Sequence, residues 1–341
     1  MSYILLHRNN LHSNLDLLSK KVGGIEKIFA VLKDNAYGHG LEIFAKEIAN
    51  YGVKRAVVRD IDEASKIKNL FQEILILSEK DGQIKPDSKF IFTINSIKSL
   101  KNTPKKTTIA LKIDTGMHRN GIAIDELDRA CKLISDNGLN LHSIFTHFRA
   151  SDELGSEFFW QKQNFLSIKT RYNELKHKYN LKNTFFHSCS SSALLRTKGF
   201  DDDFARVGIA MYGYDTLPNS FDKSPLKPVL ELFAQKISQR HIKVGERVGY
   251  GGVYRADKEH ISSLYDVGYG DGLFRYVKNG DLTTTNGSKI LGKTSMDSIS
   301  IQSDLEEISI FNDTTLWAKQ FNTIVYDILV KLSPKIKKEF I

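Results

Sequence analysis

Cysteine is almost absent from this chain of 341 residues: Cys131 and Cys189 are the only two, and they form no CxxC pair. A disulfide framework and a structural zinc site are therefore unsupported, no metal is expected, and a reducing compartment fits best. Long apolar runs are missing as well. No stretch approaches the ~20 residues that a bilayer span requires, and the opening MSYILLHRNN lacks a basic segment followed by an apolar one. The expectation is a soluble, unexported, cytoplasmic protein with no membrane partner. Internal repeats and low-complexity segments are absent too. Acidic residues are in the minority, 40 against 49 Lys and Arg, which raises nucleic acid as a partner. Most lysines are scattered singly, however. The densest cluster, KLSPKIKKEF, has no aromatic stacking platform or zinc finger beside it. A lysine-rich surface that attracts anionic substrates explains the surplus better, so no nucleic-acid partner is expected.

What is present is core-forming material, 41% of the residues, enough for one large domain and a smaller one. Short β-branched runs alternate with helical-period segments over the first two-thirds. The runs KIFAVL, KRAVVR, EILILS, KFIFTI, TIALKI, LHSIFTHF, NTFFHS and FARVGIAM begin at Lys27, Lys54, Glu73, Lys89, Thr108, Leu141, Asn183 and Phe204. Amphipathic stretches lie between several of them, including LEIFAKEIANYG and IDELDRACKLISDNG, the latter ending in a glycine suited to close a helix. Eight such units in about 220 residues predict an α/β fold, a (β/α)8 barrel over residues 1–225. From about Ser224 the pattern turns to strand-like runs punctuated by Gly, Asn and Asp, with one late helix at DTTLWAKQF. A smaller β-rich domain is therefore expected over 226–341.

Lys33 ends the first run, in AVLKDNAYGHG, at the C-terminal mouth where barrel enzymes keep their chemistry. Taken alone it is more readily a solvated lysine at a strand end. Arg119 follows the fifth run, His147 ends the sixth, His187 and Ser191 follow the seventh, and Arg206 lies in the eighth. Each has a plain alternative: Arg206 paired with Asp201 to Asp203, His147 as a core histidine, the serines as helix caps. Their convergence on one mouth is harder to explain that way. The serines after run seven and the Gly208 and Ile209 backbone after run eight occupy the usual phosphate position of this fold, with Tyr37 as a further donor. A phosphate at one side and a lysine at the other suggest pyridoxal phosphate, whose aldehyde condenses with a lysine.

AVLKDNAYGHG resembles the cofactor-lysine motif of alanine racemases. KIDTGMHRNG, FTHFRASDE, RVGIAMYG, VGYGGVY, VGYGDGLFR, GKTSMDSISI and TIVYDIL resemble that family's successive motifs in the same order, over nearly the whole chain. The resemblance implies an amino-acid racemase that interconverts L-alanine and D-alanine, and so supplies D-alanine for peptidoglycan in the cell wall. It further implies Lys33 and Tyr250 as two bases on opposite faces of the α-carbon, since inversion needs a proton removed from one face and returned to the other. An ordinary phenol, with a pKa of about 10, is a poor base near neutrality and needs neighbours that favour its anion. The family supplies His147, between the tyrosine and Arg206. Arg206 would contact the pyridine nitrogen. An arginine keeps its proton, which makes the ring a weaker electron sink and disfavours transamination and decarboxylation.

By the same resemblance, Arg119 would bind the cofactor's phenolic oxygen and stand near the substrate carboxylate. Tyr37, Ser191, Gly208, Ile209 and Tyr326 would hold the phosphate. Met296 and Asp297 would close the substrate pocket, with Tyr269 and Arg275 at its mouth. Lys112 interrupts the run IALKI, and two readings stand: the lysine is carbamylated, as in relatives, to hold Arg119, or it pairs with Asp114. A homodimer is implied, each site completed by the other subunit. The chain departs from the family pattern at Ser190, Lys293, Arg149 and Arg59, and between Phe311 and Tyr326 it is shortened. The alternatives are a racemase of another small amino acid such as serine, a basic-amino-acid decarboxylase, and a non-catalytic pyridoxal-phosphate carrier. The Arg206 match argues against the second, and the β-rich domain with Tyr250 against the third.

Overall fold

In the computed structural model, residues 1–78, 84–277 and 282–341 are described. They form two compact units. One comprises His12–Lys33 and Phe44–Leu226, the other Met1–Leu11, Asp34–Ile43 and Lys227–Ile341. The chain opens on β1 (Tyr3–Leu6), which belongs to the second unit.

The first unit contains β2 (Ile28–Val31), β3 (Arg55–Val58), β4 (Glu73–Ile76), β5 (Phe90–Ile94), β6 (Thr108–Asp114), the short β7 (Ile122–Ala123), β8 (Asn140–Phe145), β9 (Phe185–His187) and β10 (Ala205–Val207). Eight of these are parallel in the order β10-β2-β3-β4-β5-β6-β8-β9, with β7 paired beside β6. This is the predicted barrel, nearly closed, and every predicted run supplies a strand. Residues of β2 and β5 are buried along their whole length, as expected of a sheet with both faces covered. Local signals fix the helices between strands. Asp60 accepts from the Glu63 N–H at the start of Ile61–Ile67, and Ser96 from the Ser99 N–H at the start of Ile97–Asn102. Gly138, at φ +59°, follows Leu127–Asp136 in the left-handed conformation that closes a helix. Between β9 and β10 bonds from the flanking loops join the two ends of the sheet. Asp203 N–H donates to Phe186 O, Phe186 N–H to the Asp203 carboxylate, and Arg206 N–H to Cys189 O.

The second unit adds β11 (Leu230–Ile242), β12 (Arg247–Val248), β13 (Tyr254–Arg255), β14 (His260–Tyr265), β15 (Ile299–Ile301), β16 (Glu307–Phe311) and β17 (Lys337–Phe340). β11 is its spine, antiparallel to β1, β14 and β16. The first residues, expected in the barrel, lie here instead. Ile4 and Leu6 are fully buried on one face of β1, and Tyr3 stacks on Phe233 across the ladder. The expected late helix is Thr315–Gln320, and a further one, Val325–Val330, follows it.

Directly after Lys33 the backbone turns left-handed for four non-glycine residues, Asp34, Asn35, Ala36 and Tyr37, each with φ between 51° and 56°. This costs about 1–2 kcal/mol per residue. The Asn35 side chain accepts from Leu41 N–H, and Gly38 lies against the helix Val325–Val330, where a Cβ would sit 2.0 Å from Leu329 O. That close approach explains why Asp34–Ile43 belongs with the second unit although barrel strands flank it in sequence.

Candidate active site

Within the barrel unit the candidate residues stand at strand ends. Lys33 is two residues beyond β2, Lys112 lies near the end of β6, His147 is two residues beyond β8, and Arg206 is central in β10. Parallel ladders put those ends at one mouth. Burial, then the charges of Arg119 and Arg206 and, behind them, Lys33, push the Lys112 amine down to about 8, with Asp114 opposing. Burial, then Arg206, Lys112, Arg119 and Lys33, push His147 down to about 3, so its ring is neutral. Four cationic side chains, Lys33, Lys112, Arg119 and Arg206, thus share one field around the neutral His147 ring, with Asp114 opposing at Lys112 and Asp202 at Arg206. Such a mouth is suited to an anionic ligand.

Lys112 donates to the side-chain amide oxygen Oδ1 of Asn120, the residue next to Arg119. Asp114 is engaged otherwise: one of its oxygens accepts from the backbone N–H of Gly116, Met117 and His118. Arg206 is 6% exposed. Its Nη1 donates to His187 Nδ1 (2.6 Å) and His187 O (2.8 Å), and its Nη2 to Thr146 O (2.6 Å) and Ser188 O (3.4 Å). These four bonds leave Nε–H as the remaining donor of the guanidinium. Burial lowers Arg206 to about 10, which still leaves it protonated at neutrality. Its partners are not Asp201 to Asp203: Asp202 binds Lys169 and Ser188, and Asp203 binds Phe186 N–H.

His187, a candidate with no role assigned from the sequence, is the side-chain partner of Arg206. It is fully buried, and burial and then Arg206 hold it well below its usual range. Its Nε2 meets Ser143 Oγ at 3.0 Å while Nδ1 accepts from Arg206, which requires the proton on Nε2. A histidine set between phenylalanine and serine in an otherwise apolar strand was the available signal.

Ser191 opens the helix Ser191–Arg196, and its Oγ accepts from Gly208 N–H (3.0 Å) and Ala210 N–H (3.2 Å). The hydroxyl keeps its own proton to donate. The Ile209 carbonyl accepts from Tyr214 N–H.

In the β-rich unit Tyr37 is buried, with its ring centroid 5.7 Å from that of Tyr326. Burial, then Tyr326 and Asp34, raise its phenol far above the ordinary value. Tyr250 heads a turn closed by the β12–β13 pair and by Arg247, which donates to Gly252 O. It is 66% exposed. Gly251 of that turn abuts Lys293, on the segment that carries Met296 and Asp297. Tyr269 N–H and Gly270 N–H donate to Ser295 O and Met296 O, and a Cβ on Gly268 would lie 2.2 Å from Met296 O. Arg275 stands over the Tyr269 ring at 6.0 Å. Tyr269, Arg275, Met296 and Asp297 therefore form one neighbourhood.

Two family models match the chain, the N-terminal domain of alanine racemase over residues 6–216 and the C-terminal domain over 229–340. The alanine racemase of a Nitratiruptor species is 47% identical over 341 residues, covering 100% of both chains. Among solved structures, the alanine racemase from E. faecalis shares the fold with a TM-score of 0.86 at 25% identity, covering 100% of this chain and 98% of its own. The alanine racemase from Bartonella henselae, solved with covalently bound pyridoxal phosphate, gives 0.84 at 24% identity, covering 100% and 99%.

Proposed function

The chain belongs to the alanine racemase family and is an isomerase of alanine, and we propose that it works with pyridoxal phosphate joined to Lys33, as a homodimer whose sites each take Tyr250 from the other copy. The carrying observation is the mouth at which Lys33, Lys112, Arg119, His147 and Arg206 share one field. The donor set fits the cofactor. The Ser191 hydroxyl proton and the Ile209 amide would receive its phosphate with Tyr37 and Tyr326, joined by the Gly208 amide once it leaves Ser191 Oγ, and the remaining Nε–H of Arg206 would face its ring nitrogen. A fold relative carries the same group covalently.

When bound, pyridoxal phosphate supplies an electron sink that acidifies the α-hydrogen of an attached amino acid. The Lys33 amine takes or returns that proton on one face, and the Tyr250 phenol does so on the other. His147, neutral at working pH, would stand between that tyrosine and Arg206. Arg206 is pinned by carbonyl oxygens and stays charged, so it gives no proton to the ring and keeps the sink weak. Arg119 holds the substrate carboxylate, and Met296 and Asp297 close the pocket behind Tyr269 and Arg275. The depressed Lys112 amine is the nucleophile that carbamylation needs: it adds to carbon dioxide with loss of one proton and becomes an anion for Arg119. Among the described residues no helix is long and apolar enough to cross a membrane. A cytoplasmic site of action fits this reading, with D-alanine passing to peptidoglycan synthesis.

The test is chiral separation of the products from L-alanine with added pyridoxal phosphate. The protein is expected to make D-alanine, whereas Lys33→Ala loses about four orders of magnitude and Tyr250→Phe about two to four. Cofactor binding at Lys33 without D-alanine would overturn the reading.

A further inference from the structure

Arg149 lies two residues beyond His147, and its side chain reaches the loop that carries Arg119. Its Nη1 donates to Gly116 O at 2.9 Å, its Nη2 pairs with the Glu157 carboxylate, and its guanidinium stands 5.8 Å from the Trp160 ring. Its backbone N–H donates to Gln161 Oε1 at 2.8 Å. Gln161 in turn reaches Thr115 Oγ1, and Asn164 donates to Thr115 O at 3.0 Å. Residues 157, 160, 161 and 164 are spaced i, i+3, i+4 and i+7 on the helix Glu157–Lys178, so one stripe of that helix grips the loop. The grip is close. Gly116, at φ +133°, lies so near Trp160 that a Cβ would sit 2.2 Å from the indole ring. From inside the loop, Asp114 accepts from three successive N–H groups. Residues 114–118 are therefore held from both sides, and Arg119 directly follows them. Arg149 joins a loop carbonyl, a helix carboxylate and the indole ring in one side chain.

We propose that Arg149 is a positioning residue that sets substrate affinity by clamping the Asp114–Asn120 loop to the helix and so fixing where Arg119 stands. The proposal rests on Arg119 meeting the substrate carboxylate. Arg149 and Glu157 are both substantially exposed, so their pairing adds little to global stability and substitutions there leave the chain folded. Lysine cannot replace the fork, because a single ammonium does not hold Gly116 O and Glu157 in the same planar geometry.

In the holoenzyme, Arg149→Ala is expected to raise KM for alanine about tenfold with kcat within about twofold, and Arg149→Lys to restore only part of that. Hydrogen exchange followed by mass spectrometry should show peptides spanning 115–120 exchanging about tenfold faster in Arg149→Ala, with the barrel strands unchanged. Unchanged exchange overturns the clamp, whatever the activity. Faster exchange with unchanged KM overturns its role in affinity. Arg119→Ala serves as the control: if it leaves KM unaltered, the assignment of Arg119 to the carboxylate has failed, while the exchange result still decides the clamp.

Discussion

The two units hold their candidate groups in opposite ways. The barrel presents them from strand ends, half-buried or buried except for the exposed Arg119, and braces Arg206 with bonds to three backbone carbonyl oxygens. The β-rich unit buries Tyr37 but presents others from glycine turns: Tyr250 is 66% exposed, Met296 55% and Tyr269 39%. A rigid cationic seat needs no partner to be recognisable, because its charges depress Lys112 and His147 and the ligand's sign follows. A phenol on an exposed turn gains meaning only from what comes to face it. In the proposed dimer the difference becomes a division, the barrel of one copy binding and the β-rich unit of the other completing.

Co-expression of Lys33→Ala and Tyr250→Phe chains tests that division most severely. Each variant alone should be almost inactive. Random pairing places half the molecules in mixed dimers with one intact site of two, so about a quarter of wild-type activity is expected if sites form across subunits. No recovery in isolated mixed dimers would break the comparison, since both bases would then act within one chain.

Arg206→Glu tests the seat itself. Racemisation should fall about a hundredfold or more, while pyruvate formed per turnover rises because the ring nitrogen now meets a group able to share a proton. An equal fall without pyruvate would mean that Arg206 only braces the join between β9 and β10.

The left-handed turn is where the two units exchange the chain, and glycine substitutions sharpen its part. Gly38→Ala faces both φ +80° and Leu329 O, whereas Gly52→Ala faces φ +116° with nothing within 4 Å. The first should cost about 3 kcal/mol or more and the second about 1 kcal/mol in denaturant titrations. Equal costs would show that the helix Val325–Val330 does not pin the turn.

These sites also mark how far the sequence was legible. All eight barrel strands were readable, because strands covered on both faces are short apolar runs and the helices between them keep their own period. β1 was not: YILL pairs with β11 and β17, contacts more than 220 residues away that no local pattern reveals. The turn at Asp34–Tyr37 was equally hidden, since none of its residues is a glycine and the strain is borne by packing against a distant helix. In the site, charge at strand ends exposed Lys33, His147 and Arg206 before any resemblance was invoked. Tyr250, Tyr269, Met296 and Asp297 lie on turns whose period carries no chemistry, and only the motif order pointed to them. Arg149 read as a mere departure from the family pattern; its reach to Gly116 and Glu157 is tertiary.

The smallest expected effect concerns Lys112. Its amine is lowered to about 8 in the folded chain against about 10.4 in an unfolded one. Between those values the unfolded state binds more protons than the folded, so stability rises with pH through that window and the penalty is fully present below it. In buffer free of carbon dioxide, wild type should therefore gain on Lys112→Met as pH climbs from about 8 to 10, by roughly 1 kcal/mol once partial solvent exposure is allowed for. Bicarbonate should remove much of that slope, because a carbamylated lysine no longer titrates as an amine. A flat difference in both buffers would mean that Asn120 alone satisfies Lys112, and that the crowding of cations at the barrel mouth leaves its proton unmoved.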